Sequence, residues 1–174
     1  MIRLFATLLF FSTITFARVV FVMPEDGAKA EKELIRSIEN AQSEIVATIY
    51  TFTNNSLAKA FKKAAKKGVK ITIVVDEKSL KSNFDYAKAP ELAKIKNIRV
   101  KTSQGKKAKN GNYYGIMHLK VAIIDKEKVI YGSANWSNSA FNINYEIITI
   151  ENSKDLAKLL LNRLDNIIKN AKDY

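Results

Sequence analysis

The chain has 174 residues, 47% of them hydrophobic and 10% aromatic, which suits one packed core and excludes a disordered or low-complexity polypeptide. Lys and Arg number 29 against 17 Asp and Glu, and the resulting charge of +12 favours polyanionic partners, either nucleic acid or an anionic membrane surface. There is no cysteine, which excludes a disulfide framework and a lipid-modified N-terminal cysteine.

The first residues, MIRLFATLLFFSTITFA, place Arg3 before an apolar run over residues 4–16 broken only by Ser and Thr, with Thr15 and Ala17 as small residues at its end. This is the pattern of a secretory signal peptide over residues 1–17. The run falls short of the roughly 20 apolar residues of a membrane span. If it is not cleaved, it would act as an N-terminal membrane anchor. The expectation is an exported protein, periplasmic or associated with the cell envelope, with one domain over residues 18–174.

Beyond the leader, runs rich in β-branched residues alternate with segments of helical period, the pattern of an α/β fold. The reading predicts a strand over 18–23, a helix over 28–42, a strand over 44–52, a helix over 57–67 stopped by Gly68, and a strand over 70–75. A short helix starts at Pro90 and reaches about residue 95, and a strand covers 98–102. The loop SQGKKAKNGNYYG follows, then strands over 118–124, 129–131 and 145–150, and a last helix over 154–171. That helix carries Leu156, Leu160, Leu164, Ile167 and Ile168 on one face.

The helix SLAKAFKKAAKKG sets Leu57, Phe61, Ala64 and Ala65 on one stripe, so its lysines read as a solvated face. A second basic stretch reads differently. No acidic residue falls between Glu91 and Asp125, while Lys94, Lys96, Arg99, Lys101, Lys106, Lys107, Lys109 and Lys120 all do. It leads directly into His118, the single histidine, and that placement suggests a substrate groove.

On a strand, alternate side chains share a face, so His118 and Lys120 can project together. Ser133 and Asn135 are likewise two apart, just after Gly132, where backbone can approach a ligand closely. An imidazole, an ammonium, a hydroxyl and an amide supply a nucleophile and the donors that hold phosphate oxygens.

The spacing HLK, four residues, Asp125, six residues, GSAN matches the HxKx4Dx6GSxN motif, and the chain resembles the phospholipase D superfamily, most of all its small single-motif bacterial endonucleases of the Nuc type. The segments IYTFTNNSLAKAFKKAAKKGVKITIVVD and NWSNSAFNINYEIITI extend the resemblance over nearly all of the chain after the leader. It implies a single-domain α/β fold with a mixed β-sheet flanked by helices on both faces. It also implies that His118 attacks phosphorus to give a covalent phosphohistidine, that Lys120 and Asn135 bind nonbridging oxygens, and that Ser133 supports them. Glu146 would hydrogen-bond the far ring nitrogen of His118, and Asp125, counted with the catalytic set, would be more a structural and electrostatic partner.

One imidazole per chain cannot serve as both nucleophile and leaving-group acid, so a two-fold homodimer with both copies of His118 at one phosphate is expected. No acidic cluster borders the motif, and no metal or other cofactor is expected. The superfamily acts on both phospholipids and nucleic acids. Lys101, Lys106, Lys107 and Lys109, with Tyr113, Tyr114 and Trp136 for base stacking, favour nucleic acid, with single-stranded DNA preferred and RNA acceptable. Trp136 fits core packing equally well, and Phe141 reads as core. The alternative is a phospholipase D or phosphatidyl-transfer enzyme acting on membrane lipids.

Overall fold

Two β-branched runs, EIVATI and KITIVVD, pair in parallel at the centre of the computed structural model, which describes residues 18–174. The leader expected at residues 1–17 lies outside the described residues. The two runs are β2 (Glu44–Ile49) and β3 (Lys70–Asp76). With β1 (Arg18–Met23), β4 (Ile98–Ser103), β5 (Lys120–Ile124), β6 (Lys128–Gly132), β7 (Glu146–Asn152) and β8 (Lys172–Asp173) they form one sheet in the order β1-β7-β6-β5-β2-β3-β4-β8. Strands β2, β3 and β4 are mutually parallel, and every other neighbour is antiparallel.

A parallel pair needs a crossover, and α2 (Asn55–Lys66) supplies it between β2 and β3. The Asn54 side chain caps this helix by accepting from the Leu57 N–H at 2.9 Å. Its apolar stripe, with Leu34 and Ile38 of α1 (Gly27–Glu39), packs on Ile45, Ala47, Ile71 and Ile73 of the sheet. The opposite face is covered by α6 (Lys154–Asn170), whose Ala157 and Leu164 pack near Val121, Ile123 and Val129. Both faces are therefore covered, as a sheet with alternating apolar positions on two sides requires.

The elements differ from the sequence reading where distant groups intervene. Helix α1 stops at Glu39 rather than at 42, because the N–H groups of Gln42 and Ser43 donate to the Asp125 carboxylate at 2.9 and 2.8 Å. Strand β2 ends at Ile49 and β5 begins at Lys120, so His118 sits on the extended lead-in. Three short elements were not predicted: α3 (Glu77–Ser82), α5 (Asn138–Asn142) and β8. The helix expected at Pro90 is a single turn, α4 (Ala89–Leu92).

Asp125 occupies the β5–β6 hairpin in the left-handed region, at φ 53°. Its carboxylate also accepts from the Ser43 hydroxyl at 2.8 Å and the Glu44 N–H at 3.1 Å, stapling the hairpin to the start of β2. It stands at the far end of β5 from Lys120, roughly 16 Å along the strand. Its place in the catalytic set is therefore corrected to a structural one. Burial works to raise its pKa, but the donors from Gln42, Ser43 and Glu44 outweigh burial and hold the carboxyl below its ordinary value. A depressed pKa stabilises the fold fully above the ordinary carboxylate range and loses that effect as pH falls through the folded value. Asp125→Asn should cost about 2 kcal/mol in urea unfolding at neutral pH. The gap from wild type should shrink in acid.

Candidate active site

The sheet topology gathers the candidate residues at one rim. The carboxyl end of β2 brings Tyr50 and Thr51, and the start of β5, paired Ile49 to Lys120, brings His118 and Lys120. The turn after β6 brings Ser133 and Asn135, and the first residue of β7 is Glu146. His118 and Ser133 are exposed, Asn135 and Glu146 are half-buried, and Lys120 is only 6% exposed.

Tyr50 joins the two groups with the most chemistry. Its ring meets the His118 imidazole edge-on, with centroids 4.7 Å apart and planes at 61°, and the Lys120 ammonium lies 5.3 Å from the same ring. The ammonium donates to the His118 carbonyl at 2.8 Å, so the cation is held by the His118 backbone and both side chains rest against one aromatic ring. Burial pushes the Lys120 pKa down, and the nearby Glu146 carboxylate opposes that shift. The Asn135 side-chain oxygen accepts from the Thr51 N–H at 3.3 Å, which leaves its NH2 as the donor available to an anion.

Ser133 Oγ donates to the Glu146 carboxylate and accepts from the Ile147 N–H at 3.1 Å. The expected hydrogen bond from Glu146 to the His118 ring is not formed in this chain. The Glu146 carboxylate accepts from the Ser133 hydroxyl instead. Glu146 acts on Lys120 through charge and on Ser133 through the hydrogen bond.

A buried scaffold behind the rim was not read from the sequence. The Asp76 carboxylate, 0% exposed, accepts from the Ser79 N–H and the Met117 N–H, both at 2.8 Å, and so fixes the residue before His118. The Ser79 hydroxyl in turn lies 2.6 Å from that of Thr51. The available signal was positional. IYTFT and IVVD end adjacent parallel strands, and ligands in open α/β sheets collect at such carboxyl ends.

Two expected substrate residues are corrected. Trp136 is 3% exposed and packs against Phe52 and Phe61, with ring centroids at 5.1 and 5.5 Å. Lys101 is 7% exposed on β4, on the strand face it shares with Arg99, where it pairs with Asp173 of β8 and its ammonium lies 4.0 Å from that carboxylate. Lys106, Lys107, Lys109, Tyr113 and Tyr114 lie on the exposed loop that runs into Met117 and His118. Lys78 of α3 tethers that loop by donating to the Tyr114 carbonyl at 3.3 Å. Among the described residues, no group of three His, Asp or Glu side chains is placed to hold a metal ion.

Removing the Tyr50 ring should loosen both His118 and Lys120. Tyr50→Leu is expected to lower kcat/KM on a phosphodiester substrate about tenfold, while Tyr50→Phe stays close to wild type. Equal losses in both variants would assign the role to the phenol hydroxyl instead.

An open mixed sheet with helices on both faces, carrying His, Lys, Ser, Asn and Glu at one rim, defines the phospholipase D-like class. The family described as "Cardiolipin synthase, PLD-like domain" matches residues 34–168, and the chain belongs to this phospholipase D superfamily of phosphodiesterases. Within it the chain is of the Nuc type. NucT from Helicobacter pylori superposes with a TM-score of 0.87 at 36% identity, covering 91% of this chain and 99% of that one. Nuc from Salmonella typhimurium, a phospholipase D family member, superposes at 0.74 with 28% identity over 91% and 98%. The chain is 32% identical over 134 residues to a phospholipase D of Rickettsia prowazekii, which is 77% of this chain and 60% of that relative. A mitochondrial cardiolipin hydrolase of Homo sapiens is 26% identical over 81% of this chain and 52% of its own length. The chain thus spans about half to three fifths of the length of these curated relatives.

Proposed function

We propose that the protein is a metal-independent, largely non-specific endonuclease that hydrolyses DNA, with single strands preferred and RNA accepted. The observation that carries this is an exposed imidazole set against Tyr50 beside a buried ammonium and a free amide donor. The overlay with Nuc-type structures along almost their whole length supports it. His118 attacks phosphorus, the bond to the leaving oxygen breaks, and that oxygen takes a proton from a second imidazole. Water, deprotonated by that second imidazole, then attacks the phosphohistidine and returns His118. Lys120 and Asn135 stabilise charge on the nonbridging oxygens in both steps.

The second imidazole comes from a second copy of the chain. Exposed apolar residues support this pairing: Val22 and Ile147 pair across β1 and β7 at 52 and 44% exposed, the Ser133 N–H donates to the Ile147 carbonyl at 3.0 Å, and Leu119 just before β5 is 38% exposed. Tyr145, next to Glu146, and Ile143, at the end of α5, are also exposed, at 88 and 73%. An exposed apolar band at the edge of a site that lacks one catalytic group suits a two-fold contact.

Lipid hydrolysis or phosphatidyl transfer is the second reading, favoured by the names of the matching family and of the Rickettsia relative. The basic loop before His118 weighs toward a long polyanion. We also propose export through residues 1–17, or envelope attachment by them. One experiment addresses all three: protein recovered from the envelope and periplasmic fractions, its N-terminus read, is assayed in EDTA on single-stranded DNA, duplex DNA and phosphatidylcholine. A mature end at Arg18 and fastest degradation of single-stranded DNA are expected. Activity lost in EDTA and restored by magnesium, or confined to lipid, counts against the reading. Recovery from the cytoplasm alone counts against export.

A further inference from the structure

The loops after β2 and after Asn135 do not separate beyond the candidate active site. They run on side by side, zipped by backbone hydrogen bonds. The Trp136 N–H donates to the Thr51 carbonyl at 3.1 Å, and the Trp136 carbonyl accepts from the N–H groups of Thr53 and Asn54 at 2.9 Å each. This ribbon has Thr51 and Asn135 at one end and Thr53 and Ser137 at the other, an alternate-residue step of about 7 Å. A third wall, the segment 83–88, is fixed by the Lys88 N–H donating to the Phe52 carbonyl and the Asn83 amide donating to the Ser79 carbonyl, both at 2.9 Å.

These walls enclose an open groove of about 330 Å³, one step along the ribbon from the Asn135 amide. Its chemistry differs from that of the catalytic rim. Asn55, Asn83 and Asn138 line it with side-chain amides; the Asn83 NH2 donates to the Ser79 carbonyl and the Asn138 oxygen accepts from the Asn54 amide at 3.0 Å, so the Asn83 oxygen and the Asn138 NH2 remain for a ligand beside the Asn55 amide. Tyr86 borders it at 71% exposure, an aromatic face with no packing role in the core, and Lys88 adds a cation. Asp85 belongs to the same loop but is not part of the lining. Paired donors and acceptors beside an exposed ring match the edge and face of a nucleobase, and they offer no apolar channel for an acyl chain.

We infer that this groove is a subsite for an unpaired nucleobase next to the scissile phosphate, stacked on Tyr86 and hydrogen-bonded by the asparagine amides. The inference rests on the nuclease reading and deepens it, because it explains a preference for unpaired strands without sequence specificity. A base inside a duplex cannot enter a groove that takes both its edge and its face.

The test compares kcat/KM, in EDTA, for a single-stranded oligonucleotide and for the same sugar-phosphate chain without bases, using wild type, Tyr86→Ala and Tyr86→Phe. Wild type should prefer the base-bearing strand about tenfold. Tyr86→Ala should bring that ratio close to one, and Tyr86→Phe, which keeps the ring, should preserve it. Tyr86 is largely exposed, and matching thermal melts establish that the variants are folded. A wild-type ratio near one, or a full ratio retained in Tyr86→Ala, overturns the subsite while leaving the nuclease reading intact. Cleavage of phosphatidylcholine vesicles with neither oligonucleotide cleaved overturns the nuclease reading itself.

Discussion

Replacing His118 with alanine should lower phosphodiester cleavage by at least about 10⁴-fold, because on the proposed mechanism it removes the covalent nucleophile, and with it the reaction path, and not just one contact. His118 is exposed, with its ring set edge-on to Tyr50, so the variant should fold as wild type does. The same variant probes the proposed dimer. Wild-type protein mixed with an excess of His118→Ala chains, and allowed to exchange, should lose activity per wild-type chain, since each mixed pair lacks one of two imidazoles. Unchanged activity per wild-type chain would mean that a single chain suffices.

Lys120→Met should cost about 10² to 10³-fold in kcat, the range for removing one preorganised donor to a developing oxyanion. The pH dependence supplies a second, independent readout. Burial lowers the Lys120 pKa, so its ammonium is lost as pH rises through a value below the ordinary lysine range. The alkaline limb of wild-type activity should therefore fall below that range. Glu146 is the charge that raises this pKa, so Glu146→Gln should move the limb to still lower pH. A limb that stays in place or moves upward in Glu146→Gln would separate Glu146 from Lys120.

Local pattern and long-range contact divide what could be read from the sequence. Strands such as KITIVVD and the Leu57, Phe61, Ala64 stripe were legible because burial on a sheet or helix face leaves its period in the chain. The HLK and GSAN segments were legible because their spacing is fixed by one hairpin. Trp136 misled because its neighbours in sequence are polar while its neighbours in space are Phe52 and Phe61. Lys101 misled for the related reason that charge in a basic run says nothing about what pairs beside it: it shares a strand face with exposed Arg99 but is buried where β4 meets β8. Tyr50, Asp76 and Ser79 carry no local signal of function. Their roles arise only when the ends of β2 and β3 lie beside the lead-in to β5.

The central claim is that His118 becomes covalently bonded to phosphorus during turnover. Its most direct test is a single-stranded oligonucleotide radiolabelled at its internal phosphates, incubated with the protein in EDTA and quenched in alkaline detergent. Label that migrates with the wild-type chain, is released by acid as a phosphoramidate bond requires, and is absent from His118→Ala is the predicted result. Cleavage by wild type without labelled protein, or label persisting on His118→Ala, would contradict it.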